Sequence, residues 1–310
     1  LLTARVETQT DLLVTARAAH RGGDFETSYA AFSRAGALGP LAVDDLDAMA
    51  VAAGMVGHGR EAMRVGELVY VRLTRTDPNA AAGKAVELGS AWLSRGQWAV
   101  GQSWIRRARG LLAGASDSPA LVKLAYLETV VAVFTDDVEL AADRSAVLRE
   151  MSLAGAHAAA GEAYYQLGEL RRRRGEVNAA FAAYAKAHEL GVTPQPGEAL
   201  LRCALGDVET ARAEVGEALA VAASDDLPRL LRGAVQIALA GGDLDEAEGY
   251  LREFESAGGV DNLLRGAVLV RRGRYREALT VLQAALRESG YAAGEASDWI
   301  AQAHRGLSAR

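Results

Sequence analysis

The side chains best suited to nucleophilic or metal chemistry in this 310-residue chain are five histidines and one cysteine. Their spacing does not assemble a site. His20, His58, His157, His188 and His304 stand far apart, and no two share the four-residue offset that lets one helix face grip a metal ion. Cys203 is the single cysteine, so an intrachain disulfide is impossible. Its neighbours Leu200, Leu201 and Ala204 predict a buried, unreactive thiol. The acidic pairs Asp136-Asp137 and Asp225-Asp226 fall at turns, where helix capping accounts for them. Arg171 to Arg174 is a run of four arginines. Successive helical residues point to different faces, so the run predicts a solvated helix end that complements the C-terminal dipole. Gly83-Lys84 lacks the upstream glycine and following hydroxyl of a phosphate-binding loop. The expectation is no metal, no cofactor and no catalysis.

Composition narrows the partners. Lys and Arg total 34 against 40 Asp and Glu, a net charge of −6, so the chain as a whole carries no basic footprint for nucleic acid. No apolar run approaches membrane-spanning length, and no basic-then-apolar leader opens the chain. A cytoplasmic protein is expected. The chain starts with Leu1 rather than Met, which predicts a natural N-terminus further upstream. Hydrophobic residues make up 50% but aromatics only 6%, with alanine abundant throughout. That mixture suits closely packed helices better than a sheet.

The elements follow from a recurring offset. Gly175 is followed by an apolar residue at plus two (Val177), a small one at plus five (Ala180), an apolar one at plus nine (Tyr184) and a small one at plus twelve (Ala187). Gly23, Gly57, Gly96, Gly206, Gly242 and Gly273 open similar stretches, with the Gly57 turn deviating most. Between Gly96 and Gly175 one turn is weak: Asp136-Asp137-Val138 stands where glycine would be. Helical periodicity on both sides of each turn predicts about eight helix hairpins at spacings of roughly 31 to 40 residues. Gly155 to Gly161 predicts a slack joint between two halves, 1–153 and 154–310. Tyr291 to Leu307, with Trp299 and Ile300, predicts a closing helix.

This pattern resembles the tetratricopeptide repeat family along essentially the whole chain. The resemblance implies an all-α fold, a right-handed α-solenoid of about eight hairpins with a C-terminal capping helix. A narrower stretch, Tyr164 to Ala211, contains YYQLGELRRRRGE, AYAKAHELG and PQPGEALLRCALGDVETA. It resembles the repeat region of actinobacterial LuxR-type transcriptional regulators, in which a C-terminal helix-turn-helix binds DNA. That resemblance implies a sensor or protein-interaction region, with DNA reached only through a helix-turn-helix absent from this chain. A free-standing scaffold that assembles a protein complex is the alternative, and a sensor for a small effector or peptide is a third reading.

Such arrays bind on the face lined by first helices. By register this face includes Arg17, His20, Arg21, Asp47, Met55, Val86, Ser90 and Leu93, then Tyr126, Val130, Val133 and Phe134. It continues with Tyr165, Glu169, Arg172, Arg173, Leu200, Cys203, Arg229, Arg232 and Gln236. An apolar middle flanked by arginines predicts a protein or peptide partner, or an amphipathic small-molecule effector, with acidic groups at its ends. Val130, Val133 and Phe134 also admit a core reading, because the weak fourth turn leaves their register open. The lysine and asparagine clamp of chaperone-binding relatives has no counterpart at Leu13, Arg17, Val86, Ser90, Tyr165 and Glu169.

Overall fold

The computed structural model describes residues 7–151, 154–224, 226–288 and 293–308, and every regular element among them is an α-helix. In chain order these are Gln9–Arg21 (α1), Phe25–Leu38 (α2), Val43–Met55 (α3), Gly59–Thr76 (α4), Pro78–Leu93 (α5), Trp98–Leu111 (α6), Pro119–Phe134 (α7) and Val138–Glu150 (α8). Ala156–Arg173 (α9), Val177–Glu189 (α10), Gly197–Ala204 (α11), Val208–Ala220 (α12), Leu227–Gly241 (α13), Leu244–Ser256 (α14), Asn262–Arg271 (α15), Tyr275–Glu288 (α16) and Ala293–Ser308 (α17) complete the set. Odd-numbered elements are the first helices of the hairpins, and even-numbered ones the second.

Each hairpin reverses at a residue with left-handed backbone. Gly23, Gly57, Gly96, Gly175, Gly206, Gly242 and Gly273 have φ between 73° and 94°, where a Cβ would strain the chain. The fourth reversal uses Asp136 at φ 60°, the only non-glycine among the described residues with positive φ. Aspartate tolerates this conformation better than most side chains. Asp137 then caps α8, its carboxylate accepting from the Leu140 amide at 3.0 Å. The weak turn is therefore a true repeat boundary. Asp226 behaves differently from the expectation: it precedes α13 without a side-chain cap and accepts instead from Arg229 at 3.0 Å. Asp225 lies outside the described residues.

The offsets behind the turns are packing positions. Five after the Gly57 turn Ala62 is only partly buried, but at the other seven turns Ser28, Gly101, Ala141, Ala180, Ala211, Ala247 and Ala278 are buried. So are Phe32, Ile105, Ser145, Tyr184, Val215, Leu251 and Leu282 at plus nine. The small residues at plus five allow close helix approach. A Cβ on Gly168 would run into the Tyr184 ring, and one on Gly266 into Leu282.

By contact the chain forms two compact units, Leu1–Ala163 and Tyr164–Arg310. In the first, one core joins Leu12, Ala16, Phe32, Met49 and Val69, and a second joins Met63, Leu88, Trp104, Ile105 and Leu124. In the second, Leu231, Val235, Phe254, Leu264 and Val268 form one core, and Ala199, Val215 and Ile237 another. The stretch read as a slack joint is helical from Ala156 onward, and Ala156 and Ala160 are fully buried. Its small residues are packing surface. The closing helix is α17, which packs on α15 and α16; Tyr291 lies outside the described residues.

Candidate binding face

In the second unit, three first helices each turn one stripe toward a shared cavity of about 260 Å³. From α13 come Arg232, Gln236, Leu239 and Ala240; from α15, Leu263, Leu264, Ala267 and Arg271; from α17, Glu295 and Trp299. These offsets of three, four, seven and eight residues define one helix face. Leu239, Leu264 and Ala267 make a buried apolar floor. The rim is polar. Arg232 donates through Nε to Asp261 at 2.6 Å, and the other Asp261 oxygen accepts from the Leu264 amide at 2.9 Å. One carboxylate thus caps α15 and holds an arginine at the cavity edge. Arg271 donates Nη2 to the Leu239 carbonyl at 3.2 Å, and no carboxylate among the described residues lies within ion-pair distance of it.

A second group lies nearer α9. Glu169 accepts from the Tyr184 hydroxyl at 2.6 Å and from Arg172 Nε and Nη2 at 3.1 and 2.9 Å. Burial pushes the Glu169 carboxyl up, but Arg172 and Tyr184 outweigh it and hold it below the usual carboxylate range. Burial, then the Glu169 charge, pushes the Tyr184 hydroxyl well above its ordinary value. The TPQPG segment closes over this group. A Cβ on Gly197 would collide with Glu169 and Tyr184, and one on Gly233 with Pro196. Tyr165 is only 3% exposed, its ring 6.2 Å from that of Tyr184 and 4.8 Å from the Arg229 guanidinium.

Several predicted face residues therefore change role. Tyr165 is core, its ring lying between Tyr184 of α10 and the Arg229 guanidinium of α13. Glu169 and Arg172 neutralise each other. Arg173 is exposed and donates to the Glu169 carbonyl at 3.4 Å; Arg171 turns to the Ala179 carbonyl at 3.1 Å. The four-arginine run is split among different surroundings, as helical geometry requires. Cys203 is partly buried rather than enclosed, and burial raises its thiol pKa.

In the first unit, Arg17 bridges α1 to α3, donating to both oxygens of buried Asp45 at 2.7 Å. Arg21 is exposed at the end of α1. Val86, Leu93 and Val133 are core, whereas Tyr126 and Val130 are partly buried. Phe134 is 59% exposed, its ring centroid 5.0 Å from that of Trp98. Among the described residues, no three His, Cys, Asp or Glu side chains gather as a metal site.

The structure thus brings Arg232 and Gln236 together at the cavity, Tyr165, Glu169 and Arg172 around Tyr184, and Arg229 against Tyr165. Sequence reading missed Leu263, Leu264, Ala267 and Arg271. Their i, i+4, i+8 spacing was a usable signal, but α15 is short and its register was not carried to the inner face. Trp299 was seen only as part of a cover.

Solved structures with similar folds include a repeat protein. A tetratricopeptide repeat protein from Parabacteroides merdae matches with a TM-score of 0.58 at 15% identity, covering 84% of this chain and 98% of that one. The apo form of RapI matches with a TM-score of 0.58 at 10% identity, covering 96% and 97%. A chain of the APC/C hetero-tetramer Cut9–Hcn1 matches with a TM-score of 0.55 at 14% identity, covering 95% of this chain and 54% of that one. At these identities the likeness shows the fold alone: an all-α repeat solenoid of the tetratricopeptide type. No protein-family model matches the chain, and no curated protein does.

Proposed function

We infer that the chain is a non-enzymatic interaction module that binds a protein or peptide partner on the first-helix face of its second unit. The carrying observation is the cavity between α13, α15 and α17, with an apolar floor and a rim that includes Arg271. Folds of this type generally serve protein association. On this face Arg232 is committed to Asp261 and Arg271 donates to a backbone carbonyl, and among the described residues no nucleophile–base pair stands there. No helix among the described residues is long and apolar enough to cross a membrane.

The finer reading places this module in a LuxR-type transcriptional regulator, as the part that senses a partner or small effector. It would reach DNA only through a helix-turn-helix outside this chain. The Tyr164 to Ala211 stretch supports it, since that stretch builds the Glu169–Tyr184–Gly197 group. A free-standing scaffold uses the same face equally well.

Hydrogen exchange with a purified stoichiometric partner tests the main reading. Protection should concentrate on α13, α15 and α17. Protection confined to α12, α14 and α16 would overturn the assignment of the face. Sequencing the gene beyond Arg310 tests the finer reading: a helix-turn-helix supports it, and a stop codon within a few residues removes it.

A further inference from the structure

The cavity itself selects among partners, and this inference rests on the binding reading given above. Its volume, about 260 Å³, falls below the roughly 300–1,000 Å³ of pockets that bury most of a small organic ligand. It suits one large side chain. The floor of Leu239, Leu263, Leu264 and Ala267, walled by Trp299, is apolar, and the polar surface of the cavity comes from Arg232, Gln236, Arg271 and Glu295. The rim supplies the second element of choice. Arg232 is neutralised by Asp261, which is itself held by the α15 amide. Arg271, on α15, and Glu295, on the first turn of α17, line the same cavity, and neither forms an ion pair with a side chain among the described residues. Each keeps an unspent charge beside an apolar floor.

We propose that this cavity anchors an extended peptide through one leucine-, methionine- or phenylalanine-sized side chain. An acidic residue on one flank meets Arg271, and a basic residue on the other meets Glu295. Partner side chains of the opposite order would place like charges together, which costs affinity and sets direction. In the larger cavity between α14, α15 and α16, about 370 Å³, Arg265 and Arg274 are held by Glu255 and Glu277, although Arg252 lines it too.

Selection of a random twelve-residue display library on the immobilised chain is the test, followed by fluorescence anisotropy on synthetic copies of the enriched peptides. Enriched sequences should share an apolar residue flanked by Asp or Glu on one side and Lys or Arg on the other. Ala240→Trp, at an exposed position lining the cavity, should weaken binding by about tenfold or more. Arg271→Glu should do likewise, and a peptide with its acidic flank changed to lysine should recover affinity for that variant alone. Circular dichroism and melting temperature verify folding, and the charge swap stands even where Ala240→Trp fails to fold. Peptides that bind both variants as well as the parent would overturn the cavity assignment but leave peptide binding intact. A selection that enriches nothing would overturn both.

Discussion

Glu169 concentrates the electrostatics of the second unit. Its folded pKa is lower than in the unfolded chain, because Arg172 and Tyr184 together outweigh the burial that raises it. Between the two values the unfolded chain binds more protons. The stability this carboxylate contributes is therefore fully present above the ordinary carboxylate range and drains away as the pH falls through it toward the depressed folded value. Glu169→Gln should flatten the decline of melting temperature below about pH 5, measured beside the parent; parallel curves would show that the ion pair contributes nothing. Tyr165→Ala should cost about 3–5 kcal/mol in denaturant unfolding, as removal of a buried aromatic does. Gly168→Leu should cost about 1–3 kcal/mol or more, since the Tyr184 ring already occupies the space. The glycine was legible from its place in the repeat, and the tyrosine was not. Tyr164 and Tyr165 are adjacent, and both are buried. Period-3.6 reasoning assigns one to the seam and the other to the open face, until Arg229 of α13 lies over the second.

At the scale of elements, the turns carry the fold. Asp136 holds a left-handed conformation that its repeat partners give to glycine. Asp136→Gly relieves that strain but enlarges the unfolded ensemble, so unfolding free energy should rise by no more than about 1 kcal/mol. Gly175→Val, with φ at 75°, should lower it by about 1–2 kcal/mol. Equal effects of the two substitutions on the denaturation midpoint would contradict the role given to these residues. Capping aspartates recur in the same way: Asp24, Asp137, Asp207 and Asp243 each accept an amide three residues on. Asp243 also takes an ion pair from Arg212 at 3.1 Å, which ties α12 to the start of α14. Caps and turns were readable because they depend on one or two local residues.

For the molecule as a whole, stability in a repeat array is approximately a sum of local terms and nearest-neighbour interfaces. Leu231 is fully buried where α13 meets α14 and α15. Leu231→Ala should cost about 2–5 kcal/mol. Native-state hydrogen exchange should show the largest loss of protection in α13 to α15 and the smallest in α1 and α2. A uniform loss across all helices would mean that the chain unfolds only as a single cooperative body.

Periodicity alone determined the all-α class, the number and place of the hairpin turns, and which second-helix positions are core, because each depends on residues within one or two turns of helix. Tertiary packing decided the rest. Whether an arginine is free or spent depends on a carboxylate about 30 residues away, as with Arg232 and Asp261 or Arg17 and Asp45. Whether an aromatic is groove or core depends on which distant segment lies over it. A cavity exists only where three separate helices leave space between them, and no single stretch of sequence encodes that gap.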